Sequence, residues 1–430
     1  MAAAACGGRA TPHGWAPARA VEVGGKDMVL VPYKSKLFSL QPDSATANWQ
    51  FPPKDKGSYP VSEDASTRIK EMIDALSIEG TAKKELEQRV DDLRLTGDTK
   101  DTLKKAIDAS AASAGEKKDL KTTIDAAVTF ESDALKKLQA IYGDLGLSSD
   151  GETVYVTTFR GMVFALDTDT GTPRWVRDAG SQIVGGVAVD GDMLFFGTKD
   201  KRLYAIDART GERTWAFEAK GEVWSTPTLD GGAVYITSLD GTVYAIDKAA
   251  GTATWTFEGA RSGIAAQPVV ADGAVYVGAF DNRLYALNAA DGTMKWSIKG
   301  DNWFWAKPVV EGGIVYAASL DGKVYALRAE DGSDAWPEPF DAGAPVRSSP
   351  VVAGDGLVVV ARNAVLYKLS LETGEQLGGS PADLTDESTV EADLALVAEG
   401  KVYVLPKSSN FWIFATEPEL RSQGSFPLPN

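Results

Sequence analysis

Seven aromatic and cationic residues, on or beside short loops that end at a proline, are the first candidates for chemistry in this sequence. The loops run into Pro227, Pro268, Pro308 and Pro350, and aligning these prolines places corresponding loop residues together. We predict a binding mouth formed by Trp224, Arg261, Trp303, Phe304, Trp305, Lys307 and Arg347. Indole rings and cations in one concave place can receive a peptide, a glycan or a flat cofactor. In the alternative interpretation, these tryptophans only plug the channel or fill the space between repeats.

One cysteine, Cys6, and one histidine, His13, limit the other kinds of site. They exclude an internal disulfide, a Cys/His zinc site, an iron–sulfur cluster and a CxxCH haem attachment. A Ser-His-Asp triad would have to use His13, which lies in a Gly/Ala/Pro-rich segment. Cys6 follows three alanines and precedes Gly7, an arrangement that resembles a bacterial lipobox, although a complete secretory signal is missing. We predict that Cys6 is lipidated and anchors the protein to a membrane surface; a free thiol is the alternative.

The composition describes an ordinary globular protein with an acidic balance. Of 430 residues, 44 are Lys or Arg and 60 are Asp or Glu, which gives a net charge of −16. Affinity for a phosphate backbone comes from clustered cations, so this balance argues against nucleic acid as a partner. No uninterrupted apolar stretch of about 18 residues occurs, and we therefore predict no transmembrane helix in the sequence.

A short pattern recurs every 40 or 41 residues and defines the elements that position the mouth. Its strong copies are Val163–Asp167, Leu203–Asp207, Val243–Asp247, Leu284–Asn288 and Val324–Leu327, and weaker copies are Leu37–Leu40, Leu366–Leu369 and Phe411–Phe414. Each unit contains about four runs rich in Val, Tyr and Ile, separated by Asp-Gly or similar turn pairs, which is typical of an antiparallel meander. Eight such units predict an all-β, eight-bladed β-propeller. The weak eighth copy leaves a seven-bladed ring open.

In each of six units, a tryptophan lies 11 positions after the aromatic residue of the pattern: Trp49, Trp175, Trp215, Trp255, Trp296 and Trp336. A large flat side chain at a fixed place in each repeat predicts packing between neighbouring blades, so we expect these residues to be structural. Asp residues such as Asp207, Asp247 and Asp321 also recur from blade to blade. We interpret them as turn residues and assign them no catalytic role.

The combined pattern VY(V/I)…DG.(L/V)YA(L/I)D..TG…W resembles the tryptophan-docking repeat of the PQQ-type propellers, over about residues 18–53 and 147–424. This superfamily joins the quinoprotein dehydrogenases to a non-enzymatic branch typified by the outer-membrane assembly lipoprotein BamB. The resemblance implies that catalytic members hold a calcium or lanthanide ion through Glu, Asn and Asp, stack the quinone on a Trp and often carry a vicinal disulfide. Adjacent cysteines are absent here and no acid stands out beside Asp301–Lys307, so we predict no catalytic residue, metal ligand or cofactor.

The spacing breaks once, and the surplus of about 86 residues has a different composition. Ile69, Leu86, Leu103 and Leu120 lie 17 residues apart, as do Ile73, Val90, Ile107 and Ile124. Apolar pairs at i and i+4 predict about four short amphipathic helices, the last with a capping box at Ser113–Glu116 and an end near Tyr142. Their apolar stripes either pack on one another or form a groove for a partner.

These observations predict four regions: a flexible tail at 1–17, blade one at 18–60, a helical module at 61–142 and blades two to eight at 143–430. We expect a non-catalytic, extracytoplasmic scaffold or assembly subunit, anchored by Cys6 at the cell surface or in the periplasm. It would present the propeller face and the helical module to protein partners. Two alternatives stay open: a PQQ-dependent quinoprotein oxidoreductase, and a surface receptor that binds peptide or sugar at the mouth.

Overall fold

Eight four-stranded antiparallel sheets follow one another along the chain and form a closed propeller. The structure is a computed structural model that describes residues 17–23, 25–42, 46–54, 59–95, 98–138, 140–384, 394–398, 401–404, 410–416 and 419–428. Every sheet takes its four strands in sequence order, because tight turns link consecutive antiparallel strands. The eight-bladed prediction is confirmed, and the weak eighth repeat forms a complete sheet.

The strands of blades one to four alternate with short turns. They are β1 (Arg19–Val23), β2 (Lys26–Tyr33), β3 (Lys36–Leu40), β4 (Ala47–Phe51), β5 (Gly146–Leu147), β6 (Thr153–Thr157), β7 (Met162–Asp167), β8 (Pro173–Asp178), β9 (Ala188–Asp190), β10 (Met193–Gly197), β11 (Arg202–Asp207), β12 (Arg213–Glu218), β13 (Thr228–Asp230), β14 (Ala233–Thr237), β15 (Val243–Asp247) and β16 (Ala253–Phe257).

Blades five to eight repeat the same order. Their strands are β17 (Val269–Ala271), β18 (Ala274–Gly278), β19 (Arg283–Asn288), β20 (Met294–Lys299), β21 (Val309–Glu311), β22 (Ile314–Ala318), β23 (Lys323–Arg328), β24 (Phe340–Asp341), β25 (Val351–Ala353), β26 (Gly356–Val360), β27 (Val365–Ser370), β28 (Ala382–Asp383), β29 (Leu394–Ala398), β30 (Lys401–Val404), β31 (Asn410–Ala415) and β32 (Arg421–Pro427).

Six tryptophans join consecutive blades by the same two contacts. Each indole Nε1 donates a hydrogen bond of 2.9–3.1 Å to a backbone carbonyl of the following blade, as Trp255 does to Ala289. Each ring also lies on a glycine of that blade. A Cβ on Gly292 would approach Trp255 Cε3 to 2.5 Å, and Gly292 has a φ of +73°. The repeated turn therefore needs glycine both for its left-handed backbone and for the indole.

The ring closes between two blades that share no strand. Blade eight consists of β29–β32 and blade one of β1–β4, and β29 contacts β1. Phe38 of blade one and Tyr403, Ile413 and Leu428 of the C-terminal region belong to one buried apolar cluster. The Tyr403 hydroxyl donates to the Pro42 carbonyl at 2.7 Å. Side-chain packing and this hydrogen bond, rather than a mixed sheet, hold the two ends of the ring together.

Four helices lie between blades one and two: α1 (Glu63–Asp74), α2 (Gly80–Asp91), α3 (Thr99–Ala109) and α4 (Ala114–Lys136). All eight apolar residues of the 17-residue repeat are buried. Ser113 and Glu116 form the predicted capping box at the start of α4. That helix ends at Lys136, short of the expected limit at Tyr142, and the chain then turns toward the propeller axis.

The helices and the propeller share one apolar core. Helices α1 and α4 contact β8, and Ile69 and Leu120 belong to the same buried cluster as Phe51 and Phe164. The rings of Phe51 and Phe164 meet edge to face at 4.9 Å. Asp64 of α1 also forms an ion pair of 3.2 Å with Arg177 of β8. The helical region therefore packs directly on blades one and two.

Candidate functional site

The loops that lead into the first strands of blades two to seven converge around a cavity of about 190 Å³ at one end of the central channel. Its principal side chains come from six blades: Tyr142, Asp144, Val184, Thr226, Trp224, Ala265, Gln267, Trp305, Lys307, Arg347 and Ser349. Because each loop is short and leads directly into the first strand of a sheet, its backbone is fixed by the blade. The cavity is thus held by the rigid part of the fold.

The side chains of the mouth form two tiers set by loop position. In the outer tier, aromatic residues come from alternate blades: Tyr142 in blade two, Trp224 in blade four and Trp305 in blade six. The smaller Val184 and Ala265 lie between them. In the inner tier, polar side chains occupy the position just before the strand. The Thr226 hydroxyl accepts from the Gly186 amide at 2.8 Å, and the Ser349 hydroxyl accepts from the Lys307 amide at 3.3 Å. These hydrogen bonds tie neighbouring loops together.

A stack of flat groups forms one wall of the mouth. Phe280 lies parallel to Trp303, with ring centroids 4.6 Å apart, and also parallel to Trp305 at 5.2 Å. The Arg347 guanidinium lies 4.5 Å from the centroid of the Trp305 ring. Phe280 comes from blade five and Arg347 from blade seven, so they approach Trp305 from opposite sides around the ring. Aromatic and cation–π stacking therefore fixes the orientation of this indole.

Trp224 is held by polar contacts instead. Its Nε1 donates to the Glu222 carboxylate at 2.6 Å, and the Lys199 ammonium lies 5.6 Å from its ring centroid. Lys199 and Glu222 are themselves 3.8 Å apart. The two charges largely offset one another beside this indole, so the net positive charge of the mouth lies on the side of blades six and seven.

The structure places the seven predicted mouth residues in different environments. Trp224, Trp305, Lys307 and Arg347 line the cavity, whereas Trp303 lies outside its lining and stacks on Phe280.

Phe304 points into the protein, where it is 1% exposed and packs against Tyr325 at 5.4 Å. Arg261 is exposed, and its amide donates to the Asp281 carboxylate at 2.8 Å. Phe304 and Arg261 therefore make contacts within the protein and do not line the cavity. Cys6 and His13 lie outside the described residues.

Three residues of the mouth were missed from the sequence. Phe280 stands where blades four and six have Leu239 and Leu320, so its difference from these repeats was the available signal, although blade two has Phe159 there. Tyr142 and Asp144 follow the helices directly, and no proline marks the start of their strand. The change of composition at the end of the insertion therefore hid the lead-in loop of blade two.

The recurring aspartates act as hydrogen-bond acceptors between loops. Asp281 accepts from the Tyr285 hydroxyl at 2.6 Å and from the Arg261 amide, and Asp321 accepts from Tyr325 at 2.9 Å and from the Asp301 amide at 3.0 Å. Burial raises the pKa of Tyr285 well above its ordinary value, and the adjacent Asp281 carboxylate adds a smaller effect in the same direction. These carboxylates hold the loops of the mouth in place.

Within the described ranges, no group of three or more His, Cys, Asp or Glu side chains is arranged to hold a metal ion. None of the described helices is long and apolar enough to cross a membrane.

The fold and its docked tryptophans define the class of protein: an eight-bladed propeller of the PQQ type with a narrow aromatic and cationic mouth. A family model described as "Outer membrane protein assembly factor BamB" matches residues 131–225, 181–265, 219–304 and 302–411. The chain belongs to this family of PQQ-type β-propellers.

A solved structure of a BamB protein shows the same fold. The crystal structure of BamB from Moraxella catarrhalis superposes with a TM-score of 0.55 and 22% sequence identity, covering 65% of this chain and 84% of that one. The computationally designed Ika8 protein gives a TM-score of 0.46 at 15% identity, covering 64% of this chain and 94% of that one. A comparison with curated proteins finds no match.

Proposed function

We propose that this protein is a non-catalytic assembly subunit that holds a segment of a protein partner at the mouth of its propeller. Membership of the BamB family supports an interaction scaffold in general terms. The observation that carries the specific proposal is the stack formed by Phe280, Trp305 and Arg347. It presents the half-buried Trp305 indole and the Arg347 cation, supported by the buried Phe280 ring, and such side chains are enriched at protein interfaces.

The same stack argues against the quinoprotein alternative. A flat quinone needs an open indole face, but the Trp305 ring already stacks with Phe280 and Arg347. The cavity of about 190 Å³ is also smaller than the range of about 300–1,000 Å³ that is usual for pockets of drug-sized ligands. The mouth residues therefore do not fit PQQ, and we derive no reaction step through it.

The helical region offers a second surface for partners. Helices α1 and α4 face the propeller, while α2 and α3 pack on their neighbouring helices and lie away from the blades. We propose that the outer surface of α2 and α3 adds contacts to the same assembly. This surface is rigid because Arg177 and the shared core fix the bundle to blade two.

For the location of the protein, we propose an extracytoplasmic site with a lipid anchor at Cys6. The description of the matching family, an outer-membrane assembly factor, supports it, as does the lipobox-like sequence before this cysteine. Metabolic labelling with a fatty-acid analogue, followed by membrane fractionation, tests the anchor. Label and membrane association should both be lost in Cys6→Ser. Equal labelling of this variant and the parent chain would refute the anchor.

Crosslinking and capture of partners from envelope extracts test the proposed function. Trp305→Ala and Phe280→Ala should lose a discrete captured protein, because each removes a member of the stack. Met294→Ala is the matched control, since Met294 is 54% exposed on an outer strand far from the mouth. Loss of the captured protein in the control, or its retention in both mouth variants, would contradict the proposal.

A thermal titration with PQQ and Ca²⁺ decides the enzyme alternative. A ligand that binds only the folded state raises the melting temperature as its concentration increases. We expect no saturable shift, and a shift abolished by Trp305→Ala would replace the scaffold with a quinoprotein. Saturable binding of an oligosaccharide at the mouth would favour the receptor alternative.

A further inference from the structure

Two half-buried charges face the mouth cavity from opposite blades. Lys307 belongs to blade six and Asp144 to blade two, and blades four places apart in an eight-membered ring lie across its axis. Among the described residues, neither the Lys307 ammonium nor the Asp144 carboxylate forms an ion pair or a hydrogen bond. A partly desolvated charge without an ion pair or hydrogen bond is costly, although the attraction of Arg19 offsets part of this cost at Asp144. A ligand that supplies the two complementary charges would remove this cost on both sides.

The surroundings of each charge keep it directed at the cavity. Arg347 adds a second cation beside Lys307, while its guanidinium is held over Trp305. On the other side, Arg19 acts electrostatically on Asp144, but its guanidinium donates at 2.5 Å to the carbonyl of Leu145. The Asp144 carboxylate therefore keeps its acceptor sites for another group.

The walls between the two charges limit the size and character of the ligand. A volume of about 190 Å³ corresponds to roughly six water molecules at about 30 Å³ each. Trp224 and Trp305 offer apolar surface, and Ala265 lies between them. This space admits a molecule of amino-acid or dipeptide size with an apolar side chain.

We propose that the propeller mouth is a binding site for a small zwitterion, an α-amino acid or dipeptide, whose carboxylate binds Lys307 and whose ammonium binds Asp144. Its apolar side chain packs between Trp224 and Trp305. The inference shares the mouth with the proposed function but needs no protein partner, because all of the contacts come from this chain.

Isothermal titration of the full chain with L-leucine tests the site, with the fluorescence of the mouth tryptophans as a second readout. N-acetyl-L-leucine lacks the ammonium and L-leucinamide lacks the carboxylate. We expect saturable binding of leucine and binding about tenfold weaker or worse for each capped compound, since each loses one charge-assisted contact.

Variants assign each charge to its residue. Lys307→Met should weaken the binding of leucine and N-acetyl-leucine by about tenfold but leave the binding of leucinamide unchanged. Asp144→Asn should weaken the binding of leucine and leucinamide by a similar factor but leave that of N-acetyl-leucine unchanged. Lys299→Met and Asp230→Asn change exposed residues away from the mouth and serve as matched controls; circular dichroism establishes that all four variants are folded. The proposal is overturned by absence of binding at about 10 mM leucine, a very weak affinity, or by capped compounds that bind as well as leucine.

The two proposals can fail separately. A chain that captures its protein partner through Trp305 but binds no leucine overturns only the zwitterion site. Leucine binding that depends on Lys307 and Asp144, without any captured protein, overturns only the scaffold.

Discussion

The Lys368 ammonium donates a hydrogen bond of 2.7 Å to the backbone carbonyl of Thr416, across the boundary between blades seven and eight. Thr416 directly follows β31, as Leu371 follows β27 in blade seven, and Leu371 is the residue whose carbonyl accepts from Trp336. Blade seven has no docking tryptophan. A lysine on β27, at the position of Ala326 on β23, thus supplies the donor that an indole supplies elsewhere in the ring.

The first prediction concerns this lysine. Lys368 is 1% exposed, so Lys368→Met keeps much of its apolar volume but leaves the Thr416 carbonyl without its donor. We expect a loss of about 2–3 kcal/mol in the free energy of unfolding, measured by chemical denaturation. Asp355, the ion-pair partner of Lys368 at 2.8 Å, is 74% exposed at its side chain. Water can therefore solvate it, and Asp355→Asn should change the stability little.

A double-mutant cycle with Gly356 checks the same contact. A Cβ on Gly356 would lie 2.5 Å from Lys368 Cε, so Gly356→Ala should displace the lysine from its carbonyl. In a chain that already carries Lys368→Ala, the same change should cost less. Equal costs in the two backgrounds would mean that Gly356 does not act through Lys368.

The second prediction separates backbone strain from tryptophan docking. Gly292 and Gly273 have nearly equal φ angles of +73° and +72°, but only at Gly292 would an added methyl group meet an indole, that of Trp255, within 4 Å. Gly273→Ala should cost about 1–2 kcal/mol from left-handed strain alone. Gly292→Ala should cost about 1–3 kcal/mol more because the added methyl overpacks the indole. Urea denaturation of both variants gives the difference, and equal losses would exclude a role for the indole contact.

The third prediction compares two glutamates whose pKa values shift in opposite directions. Burial raises the pKa of Glu131, which accepts from the Ser62 amide and hydroxyl at 2.9 and 2.6 Å. Above pH 4.5, the ordinary pKa of a glutamate, the folded state then binds more protons than the unfolded chain. The contribution of Glu131 to stability therefore falls as pH rises from 4.5 through the raised pKa. Relative to the parent chain, Glu131→Gln should gain stability with rising pH over this window.

Glu116 is the internal control for that experiment. Hydrogen bonds from Ser113 lower the pKa of Glu116 to about 2. Its contribution is present above 4.5 and is lost as pH falls toward 2, so the destabilisation caused by Glu116→Gln should shrink over that range. Melting temperatures of both variants between pH 2 and pH 8 test the two trends. Parallel trends would contradict the assignment.

The fourth prediction concerns the helices. Replacing residues 61–138 by a short Gly/Ser linker should lower the melting temperature by about 10 °C or more, because Phe51, Phe164 and Val176 lose their apolar cover. Increased binding of the dye ANS should accompany the change. Asp64→Asn removes the ion pairs with Arg177 and with Arg68 but leaves the apolar core intact, and it is the control, with a small expected effect. An unchanged melting temperature after the deletion would show that the helices form an independent unit.

Sequence periodicity was sufficient to predict the blades, but not to predict the roles of residues that depart from the repeat. The tryptophans and glycines repeat because six of the blade boundaries use the same contact, so spacing alone predicts the ring. Lys368 is the single lysine at its position of the repeat, and Phe280 shares its position with Phe159. Such departures from a repeat do not reveal their partners. The orientation of Phe304 depends on packing with Tyr325, which no local pattern encodes. The core that the helices share with the blades, as between Ile69 and Phe51, was not predicted, because such contacts are visible only in three dimensions.

The closure between blades one and eight has a consequence for the connectivity of the chain. Ala18 and Leu428 lie in the same apolar cluster, so a short peptide could join the two ends of the described chain. New ends could then be opened at an exposed turn between two other blades, such as the one near Gly259. Since no blade mixes strands from both ends, a circular permutant of this kind keeps every sheet intact. The order in which the eight blades are synthesised is therefore separable from the ring that they form.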